Sequence, residues 1–136
     1  MPKFSEKSKN KLAYCHIHLQ DIANTAIKFF DFSVICGIRS KDAQEKSFKS
    51  GFSKLKYPES MHNLKEERNE NYSLAMDCVP YPVDWKDLKR FYFMGGLFLA
   101  IAEMKGYKIR WGGDWNRDYN FTDQKFNDLP HFEVVL

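Results

Sequence analysis

The segment Ser73-Leu74-Ala75-Met76-Asp77-Cys78-Val79-Pro80 is largely apolar, with one charged residue at its centre. Leu74 to Val79 has the character of a core strand. Pro80 and Pro82 end it, because proline cannot donate to a sheet ladder. Asp77 is the anomaly, since a buried carboxylate is costly unless it is paired or ligates a metal. The strand needs neighbours and the carboxylate needs a partner.

Upstream, Phe32 to Ile38 is β-branched and partly alternating, which predicts a second strand with Arg39 at its C-terminal end. Downstream, Lys108 to Trp111 reads as a short strand before a Gly112-Gly113 turn, and His131 to Val135 alternates as a last strand. The stripe Leu12, Cys15, Leu19, Ile22, Ala26, Phe29 predicts one long amphipathic helix with Ser8 as its N-cap. Asp42 to Lys49 predicts a short helix stopped at Gly51. Asp84 and Asp87 bracket the start of another, with Leu88, Phe91, Gly95, Leu99 and Ala102 on its buried face and Gly106 at its end. The charged tract around Lys65 to Asn71 and the polar, aromatic-punctuated segment Asp114 to Asp128 read as surface loops. Consecutive strands are not regularly separated by crossover helices. The expected class is therefore α+β, a mainly antiparallel sheet flanked by helices.

Composition narrows the function without naming it. A chain of 136 residues, 43% hydrophobic and 29% charged, fits one globular domain, 1–136. A net charge of +3 is too small to argue for nucleic-acid binding, and no basic cluster is interleaved with the aromatics. Cys15, Cys36 and Cys78 are too few for a disulfide framework, and Cys36 and Cys78 read as small buried hydrophobes. The longest apolar run, Phe91 to Ala102, is broken by Gly95-Gly96 and too short to span a bilayer. The first residues lack the apolar core of a signal peptide, so synthesis in a reducing cytoplasm is expected.

Four histidines remain to be assigned. His16 and His18 lie two apart on the first helix and point to different faces. His62 sits in a polar stretch upstream of the Asp77 strand. His131 lies in the last strand, three residues after Asp128, and a period of two puts it on the same face as Glu133. Catalytic zinc sites commonly offer three His or Asp/Glu ligands, and a separate carboxylate takes the proton of the attacking water. His62, Asp77 and His131 with Asp128 make such an inventory. Spacing alone favours a purely structural role, because distant histidines and acids are common.

The order of several short motifs goes further. Ser60-Met61-His62, then Ala75-Met76-Asp77, then Asp128-Leu129-Pro130-His131 resembles the signature of the M15 family of zinc peptidases. That family includes D-alanyl-D-alanine carboxypeptidases and phage L-alanyl-D-glutamate endopeptidases. Gly37-Ile38-Arg39-Ser40 with Gln44, Val83-Asp84-Trp85, and Arg110-Trp111-Gly112-Gly113-Asp114-Trp115 are similar to further family segments, so the resemblance runs from about Ser8 to Val134. One departure is the 14 residues between His62 and Asp77, more than is usual in the family. Lengthening a surface loop costs only about 0.6 kcal/mol per doubling, so the excess from Leu64 to Asn71 is tolerable and could reshape the substrate groove.

The resemblance implies a Hedgehog/DD-peptidase-like fold and one Zn2+ per chain held by His62, Asp77 and His131. It implies Asp128 as general base and Arg39 facing the scissile carbonyl or a substrate carboxylate. Ser60, Gln44, Glu133 and Trp115 become supporting or substrate-contacting residues. The implied substrate is the stem peptide of bacterial peptidoglycan. An Asp at the base position favours L-alanyl-D-glutamate endopeptidase activity of the endolysin type. A D-alanyl-D-alanine carboxypeptidase and a non-catalytic zinc-containing wall-binding or structural module are the alternatives. The protein is then expected to be a monomer in the host cytoplasm, with no nucleic-acid partner and no membrane insertion. It would reach the wall once a holin has breached the membrane.

Overall fold

The computed structural model describes residues 2–65 and 71–136. Of the Leu64–Asn71 tract, residues 66–70 lie outside the described residues. The chain runs α1 (Glu6–Leu12), α2 (Ile17–Ala26), β1 (Phe32–Cys36), α3 (Lys41–Lys49), β2 (Ala75–Pro80), α4 (Leu88–Lys105), β3 (Ile109–Gly112) and β4 (Asp128–Val134). The strands form one antiparallel sheet in the order β1-β2-β4-β3, which is the α+β class expected.

The long N-terminal helix predicted from the apolar stripe is in fact two. Ser5, not Ser8, caps α1 by accepting from the Ser8 N–H at 3.2 Å, and Ser8 is buried with its hydroxyl accepting from the Val34 N–H at 3.0 Å. After Leu12 the backbone is drawn away from helical pairing. His16 N–H donates to the Ser73 carbonyl at 2.8 Å and Ser73 N–H donates to the Tyr14 carbonyl at 2.7 Å. The imidazole of His16 then caps α2, its Nδ1 accepting from the His18 N–H at 3.0 Å. Phe29 falls beyond α2 and is exposed, so it is not part of the buried stripe.

Helix α4 packs on β2, β3 and β4 and against α2. Its buried side is Phe91, Met94, Gly95, Phe98, Ile101 and Ala102. Leu88, expected inside, is exposed, and Leu99 is only half-buried. Across the sheet this side meets Met76, Cys78, Trp111, Phe132 and Val134, all buried. Each large side chain so buried stabilises the fold by about 1.5–3 kcal/mol before entropy is counted.

Trp111 sets the spacing of α4 from the sheet. A Cβ on Gly95 would lie 2.4 Å from its ring, and one on Gly113 would lie 2.6 Å from it. Its Nε1 donates to the Leu129 carbonyl at 2.7 Å. Next door, a Cβ on Gly112 would meet the Asp128 carbonyl at 1.9 Å, so only glycine lets β3 and the start of β4 approach. That pairing makes Asp128 the first residue of β4, where the sequence had suggested a loop running up to it.

Candidate active site

Strand alternation gives the sheet two chemistries. Met76, Cys78 and Phe132 point to the helices, while Asp77, His131 and Glu133 point the other way. Asp77 of β2 stands directly opposite His131 of β4, and Arg110 of β3 stands opposite Glu133. Cys36 of β1 pairs with Asp77 on the other side, after a register shift between Val34 and Cys36. A groove of about 460 Å³ lies over this face, lined by Arg39, His62, Asp77, Asp128 and His131 together with Trp115.

His62 comes from an irregular turn after α3, and its position is fixed by backbone. Arg39 N–H donates to the His62 carbonyl at 2.8 Å, His62 N–H donates to Ser60 Oγ at 3.2 Å, and Ser60 N–H donates to Asn63 Oδ1 at 3.1 Å. Lys65 Nζ donates to the carbonyls of Ser60, at 2.8 Å, and Pro58, bracing the same turn. Asn63 Nδ2 donates to the Arg39 carbonyl at 3.0 Å. Ser60 and Asn63 are both buried and hold the turn from inside.

The far nitrogens of the two imidazoles decide what the near ones offer. His62 Nδ1 lies 2.8 Å from the Gly37 carbonyl, an acceptor only, so the proton of the neutral ring sits there and Nε2 carries the lone pair. His131 Nε2 lies 2.8 Å from Glu133 Oε1, which likewise leaves Nδ1 bare. Arg110 in turn donates to Glu133 Oε2 at 3.3 Å. The two bare nitrogens are 3.2 Å apart, and Asp77 Oδ1 is 3.1 Å from the first and 3.3 Å from the second. Three lone pairs thus meet at one point, an arrangement that is repulsive unless a cation lies between them.

A metal or a proton can be that cation. Ligands of a tetrahedral zinc at 2.0–2.1 Å lie about 3.3 Å from one another, so this donor set fits the ion in both chemistry and spacing. Without a metal, protons take its place. Burial opposes charge on His62, but Asp77 outweighs it and its pKa is pushed up to about 10. His131 is raised in the same way by Asp77 and Glu133 against its burial. Asp77, although buried, is held well below the usual carboxylate range by the two histidines. Cys36, His62 and Asp77 form a second donor group able to hold a metal, with atoms within 4.8 Å of one another. Cys36 is therefore no inert core thiol: it is half-buried, with Sγ 3.7 Å from His62 Nδ1 and 3.8 Å from Arg39.

The remaining groups surround this point. Arg39 donates to Asp77 Oδ2 at 3.4 Å and to Gln44 Oε1 at 2.9 Å. Gln44 is wholly buried and also donates to Ser53 Oγ at 2.9 Å and the Leu55 carbonyl at 2.6 Å, so it aims Arg39 instead of facing the groove. Asp128 lines the groove with no side-chain hydrogen bond among the described residues. Burial and the Asp77 charge raise its pKa, a poise that suits a proton acceptor. Trp115 stands 5.5 Å from the His131 ring and donates through Nε1 to the Phe126 carbonyl at 2.6 Å. His16 and His18 lie away from this cluster, His18 stacked on Tyr107 at 3.9 Å.

This constellation has relatives. Residues 1–135 match the family model described as phage L-alanyl-D-glutamate peptidase. The chain belongs to that family. It is 29% identical over 141 residues to the L-alanyl-D-glutamate peptidase of Escherichia phage T5, covering 98% of each protein. Among solved structures it resembles the L-Ala D-Glu endopeptidase ChiX of Serratia marcescens. That likeness has a TM-score of 0.73 at 23% identity and covers 98% of this chain and 90% of the other. A family of peptidases accounts for a groove that ends on a cluster of histidines and acids.

Proposed function

We propose that the chain is a zinc-dependent peptidase of peptidoglycan that hydrolyses the amide between L-Ala and D-Glu in the stem peptide, as a phage-type endolysin. The observation that carries this reading is the triangle of His62 Nε2, Asp77 Oδ1 and His131 Nδ1, with edges of 3.1–3.3 Å, beside Asp128 and Arg39 in one groove. Membership of the peptidase family, and the bond named for the phage T5 relative, support the choice of substrate.

Zinc, when bound there, supplies a Lewis acid and brings the pKa of a water from 15.7 toward about 7. The chain does the rest. Asp128 accepts the proton of the attacking water and delivers it to the leaving amine. Arg39, held by Gln44 and Asn63, places a fixed positive charge where the carbonyl oxygen becomes negative. Glu133 and the Gly37 carbonyl keep the two imidazoles in the tautomers that leave lone pairs on the metal side. Among the described residues no helix is long and apolar enough to cross a membrane. The proposed setting is a monomeric domain in the host cytoplasm that meets the wall after the membrane is breached.

Mass spectrometry of peptidoglycan fragments after incubation with zinc-loaded protein, with a chelated control, tests the reading. The expected result is chelator-sensitive loss of the whole stem beyond L-Ala. Loss of terminal D-Ala alone would make the protein a carboxypeptidase. No cleavage, with zinc bound and the fold intact, would make it a binding module.

A further inference from the structure

A second hollow adjoins the first. It measures about 360 Å³ and lies between Trp85, Leu88 and Tyr92 on one side and Asn127 and Leu129 on the other. Trp85, Asp128 and Pro130 line both hollows, so together they form one trough with Asp128 at the divide. Trp85 is 55% exposed, yet its ring is fixed: it stacks on buried Phe91 with centroids 5.6 Å apart and planes 24° from parallel.

The two halves of the trough differ in charge. The metal half carries Arg39 and Lys54, whose ammonium lies 4.7 Å from the centre of the Phe126 ring. Of the acids that line it besides Asp128, Asp77 is paired with His62, His131 and Arg39, and Glu133 with His131 and Arg110. Among the described residues lining the Trp85 half, Asp128 is the one charged side chain. The proposed substrate divides in the same way. Beyond the L-Ala–D-Glu amide the stem is anionic, because the glutamate continues through its side chain and leaves its α-carboxylate free. On the acyl side lie the alanine methyl, a lactyl ether and an N-acetylated sugar, all uncharged.

Matching charge to charge directs the carboxylates toward Arg39 and Lys54 and lays the acyl half across Trp85. An exposed indole held rigid by its neighbour offers flat apolar area at little entropic cost, which suits the apolar face of a pyranose. Asn127 adds an amide that can both donate to and accept from hydroxyl or acetamido groups. We propose that the Trp85 hollow is a subsite for the N-acetylmuramoyl sugar. The enzyme then reads the stem while it is attached to glycan, in preference to free peptide. The proposal rests on the peptidase reading given above.

The test compares kcat/KM on two soluble substrates with the same scissile bond, N-acetylmuramoyl-L-Ala-γ-D-Glu-diaminopimelate and N-acetyl-L-Ala-γ-D-Glu-diaminopimelate. The wild type is expected to prefer the muramoyl substrate by about tenfold. Trp85→Ala should bring the ratio of the two close to one, and Trp85→Phe should retain most of it. Zinc content and circular dichroism check that the variants are folded and loaded. A wild-type ratio near one, or a Trp85→Ala loss that falls equally on both substrates, overturns the subsite. If the loaded wild type cleaves neither substrate, the peptidase reading falls and the subsite falls with it.

Discussion

A hydrogen bond on the far side of each imidazole fixes what its near side presents, and this gives the residues around the candidate metal point separable roles. Glu133 touches His131 and not the metal point, so Glu133→Gln should weaken zinc binding by about 10–100-fold while leaving the ligands in place, as measured by chelator competition. Asp128 makes no bond to the triangle. Asp128→Ala should lower turnover by about 10²–10⁴-fold with zinc content unchanged. Loss of zinc in that variant would make Asp128 a ligand instead. Protons and metal compete for His62. Its pKa in the metal-free protein is pushed up to about 10, above the ordinary value near 6.5, so the site is protonated at neutral pH and loading must release that proton. Apparent zinc affinity should therefore rise with pH by about tenfold per unit for each proton released, and fall toward acid. Titrations at about pH 6, 7 and 8 measure that slope, and a flat profile would contradict the protonated triangle.

At the scale of elements, glycines position the chemistry. Gly95 and Gly96 are adjacent in α4, yet a Cβ on Gly95 would strike the Trp111 ring while one on Gly96 would meet nothing within 4 Å. Gly95→Ala should therefore destabilise by about 1–3 kcal/mol through overpacking. Gly96→Ala should instead stabilise by up to about 1 kcal/mol through helix propensity. Denaturant midpoints of the two variants distinguish these signs, and equal shifts would contradict the packing described. The apolar periods revealed the strands and α4 because each buries one face. The break between α1 and α2 was hidden, because Ser73, far along the chain, donates to the Tyr14 carbonyl and accepts from the His16 N–H, which overrides a stripe that continues through the break. Cys36 misled for a related reason. Alternation from Val34 would place it in the core, but the register shift beside it turns it toward Arg39 and His62.

At the scale of the molecule, the sheet is a partition, with helices and aromatics against one face and charge on the other. Asp77 was legible as an anomaly because an apolar strand has no use for an unpaired carboxylate, and its cross-strand partner proved to be His131. His62 was legible only through the order of motifs, since nothing in an irregular turn predicts where an imidazole points. Of the clamp on Arg39, Gln44 was legible as part of a local motif five residues on, whereas Asn63 lies 24 residues away and no local pattern encodes its contact. The described residues thus offer two overlapping donor groups, one of nitrogen and oxygen only, the other including the Cys36 sulfur. X-ray absorption at the zinc edge on the loaded protein separates them. The expected result is a shell of nitrogen and oxygen at about 2.0–2.1 Å, from His62, Asp77, His131 and water. A sulfur scatterer at about 2.3 Å would instead place the metal on Cys36 and contradict the proposed site.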